Sequence, residues 1–364
     1  MEKTFRRQLV HTRQSLVRTL ERLHPSAPLE EVSALLISSR QPWSDPRFAG
    51  DVPECLRREY IRWLDGTDEA YVRRFDGDIG IDPWSGHVFA GGRVVWGSTD
   101  YPLDRGRERS PQFLNHRFGS GRRFPALISL HHKFDTNYFH FINNVIAKLH
   151  LADRLGLDQA LPVVVSARLG AQSYFRDAVR LGVFGSHEVV VQGPREVVRA
   201  GTVFTIKPHD PDEAALEATL DRFGIADKPE GERAVFIQRG ANAPNRRPFR
   251  NQAEVDALLA RHGIETADPQ ELALEAQIAL FSASRLIIGA HGAGLTNIIW
   301  RRHAPGTLVE LFNPTLGSPH YYMYARYLGQ DYRCLMNLDP IGKPAYASSL
   351  VDIEQLRATL ADVA

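Results

Sequence analysis

Apolar positions along this chain recur in two periods, and the alternation between them predicts its elements. Residues 4–23 place Phe5, Leu9, Val10, Leu16, Val17, Leu20 and Leu23 at helical spacing, which predicts an amphipathic helix with a basic outer face. Such a helix covers its own domain or lies on a membrane or partner. Residues 24–65 are Pro-rich and mixed. Across 70–98, short apolar runs broken by Asp-Gly and Gly-Gly predict β-hairpins, and the polar, Arg-rich stretch 101–123 predicts a loop.

From residue 125 the pattern becomes regular. PALISL (125–130) is a strand, HHKFDTNYFHFINNVIAKLHLADRLG a loop and then a helix, LPVVVSA a strand, SYFRDAVRLG a helix, and EVVVQG and GTVFTIKP two strands. This alternation predicts a parallel α/β sheet over 125–208. A short helix and the polar DKPEGE mark a junction near 208–232. A second alternation follows: strand AVFIQR, helix NQAEVDALLARHG, strand IETAD, helix LALEAQIALFSAS, strand RLIIGA running into HGAGLTNIIW, strand GTLVELF and a last helix, DIEQLRATLADVA.

The expected architecture is therefore α/β, with two doubly wound halves. Residues 1–208 form an N-terminal domain, with 1–65 as a helical and irregular extension. Residues 209–340 form a second domain, and 341–364 a terminal helix able to pack back on the first. Ligands of open α/β sheets bind beyond the carboxyl ends of the strands, so the cleft between the halves is the expected site.

Composition narrows the function classes. The 44 basic and 43 acidic residues among 364 nearly cancel, to a formal +1, so no global basic field favours nucleic acid. Of the basic residues only 6 are Lys; the Arg excess suits phosphate or carboxylate recognition or reflects genome composition. Cys55 and Cys334 are too few for a disulfide framework or a zinc site and are expected as packed or free thiols. With no apolar run of signal-peptide or membrane-spanning length, the chain is expected to be cytoplasmic, with peripheral attachment at the inner face of a membrane left open.

Four segments carry candidate chemistry. In RLIIGAHGAGLTNIIW (285–300) a buried strand enters a small-residue turn, His291-Gly292-Ala293-Gly294, that opens a helix. Glycines allow close approach of backbone to a ligand, and the N–H groups of a helix start favour an anion. The turn is neither GxGxxG nor a Walker loop. In AVFIQRGANAPNRRPFRN (234–251), Arg239 ends a strand and Arg246 and Arg247 follow; an arginine there can hold a diphosphate. Asn251 with Glu254 fits a capping box. In HHKFDTNYFHFINNV, His131, His132, Asp135 and His140 follow a strand, and a His is a base near neutral pH without tuning. Asn143 and Asn144 orient substrate hydroxyls or cap and pack. In GTLVELFNP (306–314), Glu310 lies inside an apolar strand, which demands a partner such as a ribose diol or an Arg. Asp76-Gly77-Asp78 and Asp210-Pro211-Asp212 are read as turns.

With these residues in view, the chain resembles the family 61 glycosyltransferases over about residues 125–320. The resemblance is carried by YFHFINNV, FIQRGANAPNRR, ELALEAQIALFSASRLIIGAHGAGLTN and GTLVELFNP. It implies a GT-B fold, two Rossmann-like domains facing a central cleft, with the hairpins near the N-terminus as a β-rich insertion. It also implies inverting transfer from a nucleotide-sugar, UDP-sugars favoured, to a saccharide or lipid-linked saccharide in bacterial surface-polysaccharide assembly. Arg239, Arg246, His291, Gly292, Ala293, Gly294 and Leu295 would hold the donor diphosphate and Glu310 its ribose. His140 or Asp135 would be the base; His131, His132, Asn143 and Asn144 would face the acceptor. No cofactor and no metal are expected. Asn144 replaces an Asp common in relatives, which leaves a catalytically inactive saccharide- or nucleotide-binding module as the alternative. A nucleotide-dependent oxidoreductase lacks its glycine fingerprint.

Overall fold

A mixed sheet and a fully parallel sheet carry the chain in this computed structural model, which describes residues 26–101, 111–239, 248–313, 317–343 and 347–363. The helix expected over 4–23, and Arg246 and Arg247, lie outside the described residues. The first sheet contains β1 (Ser26–Ala27), β2 (Ala34–Pro42), β3 (Thr67–Ile81), β4 (Val88–Ala90), β5 (Arg93–Val95), β6 (Arg123–Ser129), β7 (Val163–Ser166), β8 (Val189–Gln192) and β9 (Val198–Lys207). Its order is β1-β5-β4-β3-β9-β6-β7-β8, with β2 also on β3. Strands β9, β6, β7 and β8 are parallel. The Val163–Val165 run is wholly buried, as a strand covered on both faces requires.

The hairpins expected over 70–98 form, with β4 and β5 antiparallel across Gly91-Gly92. They are continuous with the main sheet, because β3 pairs antiparallel with β9 from Tyr71–Lys207 to Ile81–Val198. The second sheet contains β10 (Arg233–Ile237), β11 (Glu265–Ala267), β12 (Ser284–Ala290), β13 (Thr307–Phe312) and β14 (Asp331–Met336), all parallel, in the order β11-β10-β12-β13-β14.

Helices fill the space between strands. The longer ones are α1 (Glu54–Leu64), the run α2 (Tyr138–His140, Phe141–Ile146 and Ala147–Arg154), α3 (Ser173–Arg180), α4 (Glu213–Arg222), α5 (Gln252–Arg261), α6 (Leu274–Ser282), α7 (His320–Tyr327) and α8 (Ile353–Val363). One apolar core is continuous between the sheets: Val72, Phe141, Val145 and Leu149 on the first side join Ile237, Leu295, Trp300 and Tyr324 on the second.

Three expectations change. Helix α8 buries Leu356, Leu360 and Val363 with Val255 and Leu258 of α5 and Leu335 of β14, so it completes the second sheet's core instead of packing back on the first half. The early segment crosses over instead. Helix α1 packs on β14, the rings of Tyr60 and Tyr322 lie 5.6 Å apart, and the Tyr322 hydroxyl donates to the Phe48 carbonyl at 2.9 Å. Cys55 of α1 and Cys334 of β14 are bonded to each other and are not free thiols. Asn251 does not cap α5. Its amide donates to the Val351 carbonyl and accepts from the Val351 N–H, which ties α5 to the chain before α8.

Candidate active site

The glycine turn sits where its sequence predicts, at the carboxyl end of β12. The helix it opens, Ala293–Trp300, is a 3-10 helix. β-branched Thr296, Ile298 and Ile299 are buried within it. Gly289 and Gly294 let it close on Ile237: a β-carbon at Gly289 would come within 2.9 Å of the Leu295 side chain, and one at Gly294 within 3.0 Å of Ile237. Gly292 takes φ +153°, and a β-carbon there would overlap the Arg239 guanidinium. Arg239 lies directly over the turn and donates to the His291 carbonyl at 2.5 Å. Burial pulls its pKa below the ordinary arginine value. Ala293 and Gly294 are half-buried at the opening. Leu295 is not available as a donor there, since its N–H is bonded to the Gly292 carbonyl at 2.9 Å.

Behind the turn, His291 donates from Nδ1 to Glu310 Oε1, and the Tyr332 hydroxyl donates to Glu310 Oε2 at 2.5 Å. Glu310 is fully buried in β13. Both its oxygens are spent on internal donors, so it does not reach a ribose. It fixes the tautomer and the ring plane of His291. The partner its burial demanded is a His–Tyr pair, neither a diol nor an Arg.

From the first half, the start of α2 packs on this 3-10 helix. The Tyr138 hydroxyl donates to Asn297 Oδ1 at 3.2 Å. The central piece of α2, Phe141–Ile146, is a π-helical turn, a form that recurs at functional sites. His140 is partly exposed, and its Nδ1 lies 2.7 Å from Asn144 Oδ1. An amide oxygen only accepts, so Nδ1 carries the proton and Nε2 keeps its lone pair. Burial, then the neighbouring His132, lower the His140 pKa against the raising effect of Asp210. It is a neutral imidazole at neutral pH.

The remaining residues expected near the acceptor are interior. Asp135 is buried, bonded to the Ser166 hydroxyl at 2.6 Å and paired with Arg168 at 3.3 Å, which removes it as a base. His131 lies 2.7 Å from Gln192 Oε1, so its Nε2–H donates there. His132 Nδ1 meets Asp100 at 2.6 Å, and Asp100 also pairs with buried Lys148 at 2.9 Å. Those two neighbours hold the Asp100 carboxyl well below its usual range despite burial. Asn143 donates to Asp210 and accepts from the Tyr324 hydroxyl at 2.5 Å. All four of these residues are buried.

Nothing local in the sequence marks His320, at the start of α7. Its ring stacks on Phe139 at 4.8 Å and meets Trp63 edge-on at 4.9 Å. Burial pushes its pKa down to about 4, with Asp210, His140, His291 and Glu310 as its charged or titratable neighbours. It neighbours both His140 and His291. Asp210, read as a turn residue, is a buried acceptor for Asn143, whereas Asp212 N-caps α4 as a turn residue should. Asp76 and Asp78 are exposed ion-pair partners of Arg74, Arg123 and Arg199. No helix among the described residues is long and apolar enough to cross a membrane.

Residues 138–309 match the family model Glycosyltransferase 61. No curated protein matches the chain. Among solved structures, an E. coli heptosyltransferase, WaaC with ADP, is similar at 13% identity over 66% of this chain and 100% of that chain, with a TM-score of 0.31. The family match runs from the start of α2 into β13 and spans His140, Arg239 and the 291–294 turn. By that match the chain is a glycosyltransferase.

Proposed function

We propose that the protein is an inverting glycosyltransferase of GT-B type that moves a sugar from a nucleoside diphosphate, UDP favoured, to a saccharide or lipid-linked saccharide hydroxyl. The observation that carries this reading is the His140–Asn144 bond: it leaves a neutral Nε2 on the first half, while Arg239 and the glycine turn lie on the second. The acceptor hydroxyl attacks the anomeric carbon as the bond to the diphosphate breaks, through an oxocarbenium-like transition state. His140 Nε2 takes the acceptor proton. The bond to the leaving phosphate oxygen delivers its electron pair there, and the growing charge meets the Arg239 guanidinium and the N–H groups of Ala293 and Gly294. With its Nδ1–H on Glu310, a neutral His291 keeps an Nε2 lone pair, so its part is to hold the turn in place and not to donate to the phosphate. Arg239 and these N–H groups supply the charge stabilisation without a metal.

Asn144 supports activity over a binding-only module, since it does the orienting that an Asp would do. The family suggests surface-polysaccharide assembly on the cytoplasmic side of a membrane. Radiolabelled transfer from a nucleotide-sugar panel tests the core of the reading. His140→Ala should lower turnover by about 10²–10⁴ with donor binding kept. Arg239→Ala should weaken donor binding. Turnover in His140→Ala within tenfold of wild type removes the assigned base, and a product that retains the donor's anomeric configuration removes the inverting mechanism.

A further inference from the structure

The start of α7 carries a histidine that the mechanism above leaves unused. His320 stacks on Phe139 at 4.8 Å and meets Trp63 of α1 edge-on at 4.9 Å. The Phe139 ring also lies 5.3 Å from that of His140. Tyr321, the next residue of α7, lies 5.4 Å from the His291 ring and 5.9 Å from Phe139. One set of ring contacts therefore runs from the assigned base to the glycine turn, and His320 belongs to it.

Packing accounts for the ring of His320 but not for its nitrogens. The residue is half-buried. Its Nδ1 is buried and meets no hydrogen-bonding group among the described residues, and its Nε2 makes no bond to them and is not buried. An orphaned polar atom costs stability, and a phenylalanine would stack on Phe139 and Trp63 without that cost. A ligand that bonds the imidazole explains what packing does not. Burial, the largest effect, keeps the ring neutral near pH 7, although Asp210 and Glu310 favour its charged form. A neutral imidazole offers one donor and one acceptor, and a sugar hydroxyl is both. A cation in its place would oppose the positive charge that develops on the transferred ring. That ring is joined to the diphosphate on one side and attacked on the other by the hydroxyl that His140 deprotonates. A group that neighbours both His140 and His291 is within reach of it.

We propose that His320 is a donor-specificity residue whose Nε2 bonds a hydroxyl of the transferred sugar, with Phe139 and Trp63 holding the imidazole to that task. The proposal deepens the transferase reading and rests on it for the placement of the donor. Calorimetric titration of the full chain without acceptor tests it, using a panel of UDP-, GDP- and ADP-sugars, each against its free nucleotide. His320→Phe keeps the stacked ring and removes both nitrogens. It should weaken the best-bound nucleotide-sugar about tenfold and leave the matching nucleotide within about twofold. Its urea midpoint should be no lower than that of wild type, because the orphaned nitrogen is gone. His320→Gln, neutral and able to hydrogen-bond, should recover part of the lost affinity. Nucleotide and nucleotide-sugar affinities that fall together, a nucleotide-sugar affinity that does not fall, or a lowered midpoint overturns the proposal. A sugar-specific loss in a protein that transfers nothing overturns the transferase reading and leaves the contact standing. Wild-type protein that binds no member of the panel overturns both.

Discussion

Gly292→Ala would test the centre of the donor wall directly. The new methyl group would occupy the space of the Arg239 guanidinium, overlapping Nη2 and lying 2.8 Å from Cζ, at a backbone φ of +153° that side chains rarely adopt. The strained backbone costs about 1–3 kcal/mol. Arg239 must leave, and its bond to the His291 carbonyl, made by a charged donor at 2.5 Å, is worth about 1.5–3 kcal/mol. The full loss is about 2.5–6 kcal/mol, measurable by chemical denaturation. In an Arg239→Ala background the guanidinium is already gone, so only the backbone strain should remain. The double-mutant cycle should therefore show a coupling of about 1.5–3 kcal/mol, with the two changes together costing less than their sum. Nucleotide affinity should fall in both single variants and no further in the double. A coupling under about 0.5 kcal/mol, the ordinary limit of additivity for independent sites, would refute the claim that Arg239 rests on Gly292.

Other perturbations probe the groups around that wall. Since His140 is held below the 6.5 of a free imidazole, the base form persists in mildly acidic solution, and the acid limb of kcat/KM should lie below pH 6.5. Asn144→Asp places a carboxylate against Nδ1 and should move that limb to higher pH; an unmoved limb would exclude His140 as the titrating base. Glu310→Gln keeps the volume but weakens the hold on His291 and Tyr332, and should lower kcat with little change in acceptor KM; a wild-type kcat would leave Glu310 structural only. Asp100→Ala strands buried Lys148 and His132, and should destabilise the fold by about 3–5 kcal/mol in urea unfolding.

The parts of this protein that were legible in its sequence are those decided by neighbours along the chain. Val163–Val165 reads as a buried parallel strand because three β-branched residues in a row leave no polar face, and it is one. The run from β12 through Gly292 reads as a ligand turn because strand, glycines and helix follow within a few residues. What failed was set by contacts made across the chain. Glu310 demanded a partner, but nothing local could say that Tyr332 and His291 would both arrive and seal it. Asp135 and His140 were equivalent candidates five residues apart, until Arg168 and Ser166 engaged one and Asn144 oriented the other. Asn144 shows the logic most clearly. Read alone, it is an acid that has been lost. Placed one helical turn after His140 and facing its Nδ1, it is an acceptor that can only stabilise the tautomer a base requires, and unlike a carboxylate it does so without raising the pKa of the ring by charge. The substitution that most invited an inactive reading thus keeps His140 unprotonated to lower pH than an Asp would.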